Sequence, residues 1–212
     1  MEGRVDLWVK LKVADLVVET AWFTLTEKLD FTGSLFGLSR YSCWFIRASG
    51  PDMEIILDEL DGTVTLDSAF FNQNKHRYSL VAAGPEGTKI PGRRGDFEHE
   101  NDFVLRDSTP DGNRLSQRPD FSLYACDCLI TTGGAGADYA GRLRSRVERI
   151  SISQVESGEV WRVILKADSR EEALELVECI AVTRSRREGL LLNPHYQSHR
   201  ILGIEEIPGR RE

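Results

Sequence analysis

The stretch Ile130 to Gly141, "ITTGGAGADYAG", passes from a strand-like run through glycines into a helix-like run. Such a junction can cradle a phosphate, because main-chain amides and the positive end of a helix dipole converge there. Gly133, Gly134 and Gly136 are therefore the candidate ligand-binding residues. Their spacing is not that of GxGxxG in its usual context, the P-loop lysine is missing, and Asp138 sets negative charge where an anion would sit. The competing reading is a tight strand-to-helix loop, and the residue pattern favours it.

Cys126 and Cys128 project to one side if they lie on a strand, and His195 and His199 are four apart. Either pair could contribute to a metal site, but a zinc site normally wants four ligands and no second cysteine pair accompanies the CxC spacing. Buried strand cysteines and polar loop histidines are the more economical reading. The acidic cluster Asp96, Glu98, His99, Glu100 and Asp102 likewise reads as a solvated loop. No serine stands in a G-x-S-x-G elbow and no cysteine is paired with a recognisable base motif, so nucleophilic catalysis has little to assemble. His76 could act as acid or base, yet a lone histidine at a corner is usually structural or solvated. The expectation is no catalytic residue, no metal and no cofactor.

The elements that would carry these residues can be read from periodicity. Val5, Leu7, Val9, Leu11 and Val13 alternate with Asp6, Trp8, Lys10 and Lys12, the mark of a strand with one buried face. Trp8 falls on the polar face, where an exposed tryptophan would mark a subunit or domain contact. Asp15 can cap a helix that puts Val18, Trp22, Leu25 and Leu29 on one side. "FTGSLFGLSRYSCWFIRAS", punctuated by Gly33 and Gly37, reads as one or two strands with a turn. A second helix starts near Pro51 and Asp52, and "RYSLVA" closes the unit as a strand.

The same order recurs after residue 120. "FSLYACDCLIT" is strand-like, and "GADYAGRLRSRV" spaces Tyr139, Leu143 and Val147 four apart on a short helix. "VERISISQ" and "EVWRVILKA" flank Glu156, Ser157 and Gly158 as a hairpin. Ser169 with Glu172 forms a capping box for "REEALELVECIAV", and "HRILGIEEI" supplies the last strand. Each unit is therefore strand, helix, strand, strand, helix, strand. That is the order of the ferredoxin-like sandwich, with helices on one face of an antiparallel sheet, so the expected class is α+β.

The units are expected at residues 1–83 and 120–212. The segment between them, 84–119, reads as a linker or long loop, and "DFVLR" within it could add an edge strand. With its flanking residues it holds four of the seven prolines and five of the 18 glycines. Each unit ends its second helix at an asparagine: "FFNQNKH" from Phe70 to His76, and "LLLNPHYQ" from Leu190 to Gln197. Asparagine suits such a corner because it tolerates unusual backbone angles and bonds its own main chain. Asn72, Asn74 and His76 are then the corner residues of one unit, and Asn193, Pro194 and His195 those of the other, with Pro194 forbidding further helix.

This combination resembles the PurS-type small subunit of formylglycinamide ribonucleotide amidotransferase (phosphoribosylformylglycinamidine synthase), whose second helix ends in a leucine, asparagine, proline run. The first unit is similar, with Gln73 where the proline would be. The resemblance implies an assembly and coupling part, not a catalyst by itself. Such a subunit joins a glutaminase subunit to an ATP-dependent synthetase subunit in purine biosynthesis, and tandem copies resemble the duplicated PurS-like region of single-chain forms. A different class remains open: a stand-alone small-molecule sensor, since paired ferredoxin-like modules often bind effectors.

Composition limits the remaining classes. With 41% hydrophobic and 29% charged residues the chain reads as soluble and globular, and no run approaches the ~20 apolar residues of a membrane span. "MEGRVDLWVKLKV" lacks the apolar block of a secretory signal, and the four cysteines do not form a disulfide framework, so a cytoplasmic location is expected. The net charge of −7 disfavours nucleic acid as a partner and leaves protein partners or a homo-oligomer open.

Overall fold

A computed structural model describes residues 1–83, 89–98, 105–106, 122–133, 135–183 and 189–207. The strands are β1 (Glu2–Leu11), β2 (Leu35–Ser49), β3 (His76–Ala83), β4 (Lys89–Gly95), β5 (Ser122–Thr132), β6 (Ser151–Ala167) and β7 (Gln197–Ile207). The helices are α1 (Leu16–Glu27), α2 (Met53–Leu66), α3 (Ala135–Arg144) and α4 (Arg170–Ala181). The sheet order is β4-β3-β1-β2-β6-β5-β7, and the class is α+β as expected. β1 runs antiparallel to β2 and to β3, and β5 antiparallel to β7. The N–H of Lys166 donates to Ser34 O, and Ser153 Oγ to Arg47 O, so β6 opposes β2 in direction.

The chain divides into two compact units, and they do not follow the two halves of the sequence. Unit 1 holds residues 1–14, 41–102 and 133–159; unit 2 holds 15–40, 103–132 and 160–212. Each contains the strands and helices of one ferredoxin-like module, assembled from both halves. Unit 1 takes β1, the later part of β2, α2, β3 and β4 from the first half, and α3 with the early part of β6 from the second. Unit 2 takes β5, the later part of β6, α4 and β7 from the second half, and α1 with the early part of β2 from the first. The first helix and following strand of each half are thus exchanged.

The exchange has a local cause. The hairpin expected at Glu156, Ser157 and Gly158 does not form, because those residues lie inside β6, an unbroken strand of 17 residues. A two-residue hairpin turn needs positive φ at one or both central positions. Glu156 and Ser157 resist such angles, and Gly158 does not adopt one. β2 likewise runs straight through Gly37 for 15 residues, with Gly33 in the turn before it. Where a short hinge stays extended, the second arm of a hairpin crosses into a neighbouring module, as in domain swapping.

Each unit has its own core. In unit 1, Val5, Leu7 and Val9 of β1 meet Ile56, Leu57, Leu60 and Val64 of α2, with Ala140 and Leu143 of α3 in the same cluster. In unit 2, Val18, Ala21 and Leu25 of α1 and Ala173, Val177 and Ile180 of α4 pack on Cys126, Cys128, Val163 and Leu165. Each buried valine, leucine or isoleucine among them contributes about 1.5–3 kcal/mol. The helix starts are the expected ones: Asp15 Oδ1 accepts from Val17 N–H at 2.9 Å, Asp52 Oδ1 from Ile55 N–H at 2.8 Å, and Ser169 Oγ from Glu172 N–H at 3.1 Å. α3 stops at Arg144, so Val147 packs on the core from the following coil.

Part of the expected linker is structured, since β4 pairs antiparallel with β3. Within "DFVLR" only Leu105 and Arg106 lie among the described residues, and neither is in a strand. Trp8 is buried, not exposed: its ring packs edge-on against Tyr41 at 5.7 Å and Phe45 at 6.3 Å on the face of β1 opposite the helices. Alternation placed it on a polar face, but that face carries aromatic residues from neighbouring β2, which a single-strand pattern does not display. Among the described residues no helix is long and apolar enough to cross a membrane.

Candidate functional site

The two asparagine corners are built from the same set of bonds. After α2, Asn72 Oδ1 accepts from Asn74 N–H at 3.0 Å, while Asn72 O accepts from Lys75 N–H at 3.0 Å and His76 N–H at 2.8 Å. The N–H of Asn72 donates to His76 Nδ1 at 3.1 Å. After α4, Asn193 Oδ1 accepts from His195 N–H at 3.0 Å, and Asn193 O from Tyr196 N–H at 3.1 Å and Gln197 N–H at 3.0 Å. The N–H of Asn193 donates to Gln197 Oε1 at 2.9 Å. Neither asparagine ends its helix as expected, since α2 stops at Leu66 and α4 at Ala181; each instead forms an Asx turn that aims the chain into β3 or β7. Pro194 occupies the position where no backbone donor is required.

The environments of the corners differ in charge. His76 is half-buried, and burial followed by the neighbouring Lys75 cation holds its imidazole below the usual histidine range. As the acceptor at Nδ1 it is the Nε2–H tautomer. His195 is exposed beside Tyr196, with ring centroids 6.4 Å apart. The second member of the expected histidine pair, His199, meets Glu178 through Nε2 at 2.7 Å, so His195 and His199 are not brought to one centre by a shared contact.

Immediately before the first corner, Asp67 caps α2 and is 4% exposed. Its Oδ1 accepts from Ala69 N–H at 3.0 Å, and its carboxylate faces Arg146 at 3.1 Å and Arg142 at 3.6 Å. The Arg146 contact is charge proximity without hydrogen-bond alignment, since Asp67 Oδ2 has no hydrogen-bond partner among the described residues. Beside this pair lies an open cleft of ≈ 530 Å³ lined by Ala69, Asp138, Tyr139 and Arg142. Tyr139 lines the cleft, and its ring packs at 5.5 Å on Trp44 and 5.3 Å on Phe70. A carboxylate, a phenol and a guanidinium around one opening can pair with a small molecule carrying both charges.

Asp138 and Tyr139 are marked by the sequence pattern of α3, but Asp67, Arg142 and Arg146 are not. Asp67 is one aspartate among many, and nothing local to it signals a partner some 75 residues away in the chain. The available signal was the Arg142, Arg144, Arg146 row after a helix start, an excess of cations needing anions. Arg144 is used differently, donating to Ile152 O and Ser153 O, each at 2.8 Å.

The glycine loop holds α3 close to β6. A Cβ on Gly136 would stand 2.2 Å from Val155 O, whereas one on Gly133 would meet nothing within 4 Å. A carbonyl oxygen against Gly136 is the reverse of an anion cradle, which needs N–H groups. Gly134 lies outside the described residues, as do His99, Glu100 and Asp102 of the acidic cluster. Cys126 and Cys128 are buried in the unit 2 core, and burial pushes both thiols up to about 12. Among the described residues no group of three or more histidines, cysteines and carboxylates is placed to hold a metal ion. No family model matches the chain, and no curated protein or solved structure gives a significant match.

Proposed function

We propose that this chain is a non-catalytic assembly and coupling subunit of the PurS type, working in the cytoplasm beside a glutaminase subunit and an ATP-dependent synthetase subunit of purine biosynthesis. The observation that supports this reading is the matched pair of corners at Asn72 and Asn193, each leading into the strand, β3 or β7, that follows the second helix of a ferredoxin-like module. Two such modules drawn from one chain give the equivalent of two small subunits whose relative stoichiometry cannot vary. The ring stack of Trp44, Phe70 and Tyr139 and the ion pairs at Asp67 tie the two halves into unit 1, a property useful to a scaffold. The test is reconstitution with the candidate glutaminase and synthetase. Association and a requirement for this chain in glutamine-dependent, but not ammonia-dependent, amidation is expected. Failure to associate, with full glutamine-dependent activity in its absence, would reject the role.

The cleft beside Tyr139 favours a second reading, a small-molecule sensor. A ligand bound to the folded form raises its apparent melting temperature in proportion to the logarithm of concentration above Kd. Thermal shifts with free amino acids and nucleotides separate the two readings.

A further inference from the structure

β7 ends the strand order and pairs with β5 alone among the named strands, so it presents an edge of 11 residues. Edge strands normally carry proline, bulges or charges that discourage pairing with another chain. β4, at the other end of the order, contains Pro91 in its sequence and the cations Arg93 and Arg94, which would meet like charges in an antiparallel self-pair. β7 carries one bulge but no proline, and its charges are arranged differently. Arg200 occupies its first half, beside His199 that already meets Glu178, and Glu205 and Glu206 occupy its second. Reversal of direction brings the basic half of one strand against the acidic half of another.

The faces agree with that pairing. Opposite β5, the residues Ile201, Ile204, His199 and Glu206 sit across from Cys128, Cys126, Ile130 and Tyr124, all members of the unit 2 core, and so share the helix face. Arg200, Gly203, Glu205 and Ile207 sit across from Leu129, Asp127, Ala125 and Leu123 and share the opposite face. The register shift between Asp127 and Cys128 leaves Leu202 as the extra residue of a bulge. Because of that bulge, a two-fold register with Ile201 opposite Ile204 of a second copy also puts Arg200 opposite Glu205 and His199 opposite Glu206, each pair on one common face. A slip by one residue would set every pair on opposite faces.

We infer that β7 is a self-complementary edge through which two copies of this chain pair antiparallel about a two-fold axis near Leu202 and Gly203. The occupant is a second copy because the strand's charges complement their own reversal. Ile201, Leu202, Ile204 and Ile207 are all only partly buried within one copy, and two of them would gain cover from each other across the axis. Main-chain hydrogen bonds and these isoleucines supply attraction, while the charges fix direction and register. An isologous contact of this kind closes after two copies and does not propagate. The pairing stands independently of the coupling role.

The test is sedimentation equilibrium on the full chain with Glu205→Arg and with the double variant Arg200→Glu/Glu205→Arg. The wild type is expected to dimerise. Glu205→Arg sets like charges opposite each other twice per dimer, and should raise the dissociation constant at least about tenfold. The double variant restores opposite charges with the order reversed and should recover most of that loss. Its circular dichroism spectrum reports whether the fold is retained. A wild type that stays monomeric throughout, or a dimer indifferent to Glu205→Arg, would overturn the inference. So would a folded double variant that stays as weak as the single one.

Discussion

Asn72 and His76 close their corner through a bond from the Asn72 N–H to His76 Nδ1 at 3.1 Å, the bond that Asn193 makes to Gln197 Oε1 in the other unit. One corner thus depends on an acceptor that titrates and the other on one that does not. Protonated at Nδ1, His76 could no longer accept, and the Asn72 donor would lose its partner.

This gives a pH dependence with a definite sign. The folded-state pKa of His76 is lowered from 6.5, through burial first and Lys75 second. A base with a lowered folded pKa binds more protons when unfolded, so its contribution is fully present above the unfolded value and is lost as pH falls through the folded one. The melting temperature should therefore drop as pH falls below 6.5, over and above the carboxylate titration further down. His76→Gln, which copies the acceptor of the second corner, should flatten that part of the profile while keeping the fold. An unchanged profile in the variant would show that His76 is not the titrating group.

The Asp67 cluster should respond asymmetrically. Asp67→Ala leaves Arg142 and Arg146, with side chains 53% and 44% exposed, free to hydrate, so urea unfolding should show a loss of about 1–3 kcal/mol. Arg142→Ala/Arg146→Ala instead strands a carboxylate that is 4% exposed and should cost more, about 3–5 kcal/mol. Equal losses would mean that burial of Asp67 has little energetic weight.

Gly136 and Gly133 distinguish packing from ligand binding. Alanine normally favours a helix over glycine by about 1 kcal/mol. At Gly136, inside α3, the added Cβ would nevertheless collide with Val155 O at 2.2 Å, and a net destabilisation of about 1–3 kcal/mol is expected. Gly133→Ala meets open space and should leave the denaturation midpoint nearly unchanged. A Gly136→Ala protein of wild-type stability would remove the close approach of α3 to β6.

Much of the architecture was legible in the chain itself. The alternation of Val5, Leu7 and Val9 and the caps at Asp15, Asp52 and Ser169 are local signals and occur where periodicity and capping chemistry place them, whereas the turns at Asn72 and Asn193 lead into strands as expected but lie beyond the ends of α2 and α4. What escaped was everything decided between distant residues. Whether Glu156 to Gly158 turns or runs straight sets which half supplies which helix, and that choice rests on a small backbone preference with no hydrophobic pattern attached. Burial of Trp8 depends on Tyr41 and Phe45 across a strand boundary, and Asp67 finds its arginines only once α3 joins unit 1.

That joining of α3 from the second half to a core built by the first is the central structural claim, and proton contacts among the aromatic rings of the intact chain test it most directly. With Tyr139 ring centroids 5.5 Å from Trp44 and 5.3 Å from Phe70, a nuclear Overhauser spectrum with protonated aromatic, valine and leucine residues should show Tyr139 cross-peaks to both. Tyr139 cross-peaks that run instead to Val163 and Leu165, with none to Trp44 or Phe70, would place α3 in a module made by its own half and contradict the exchange.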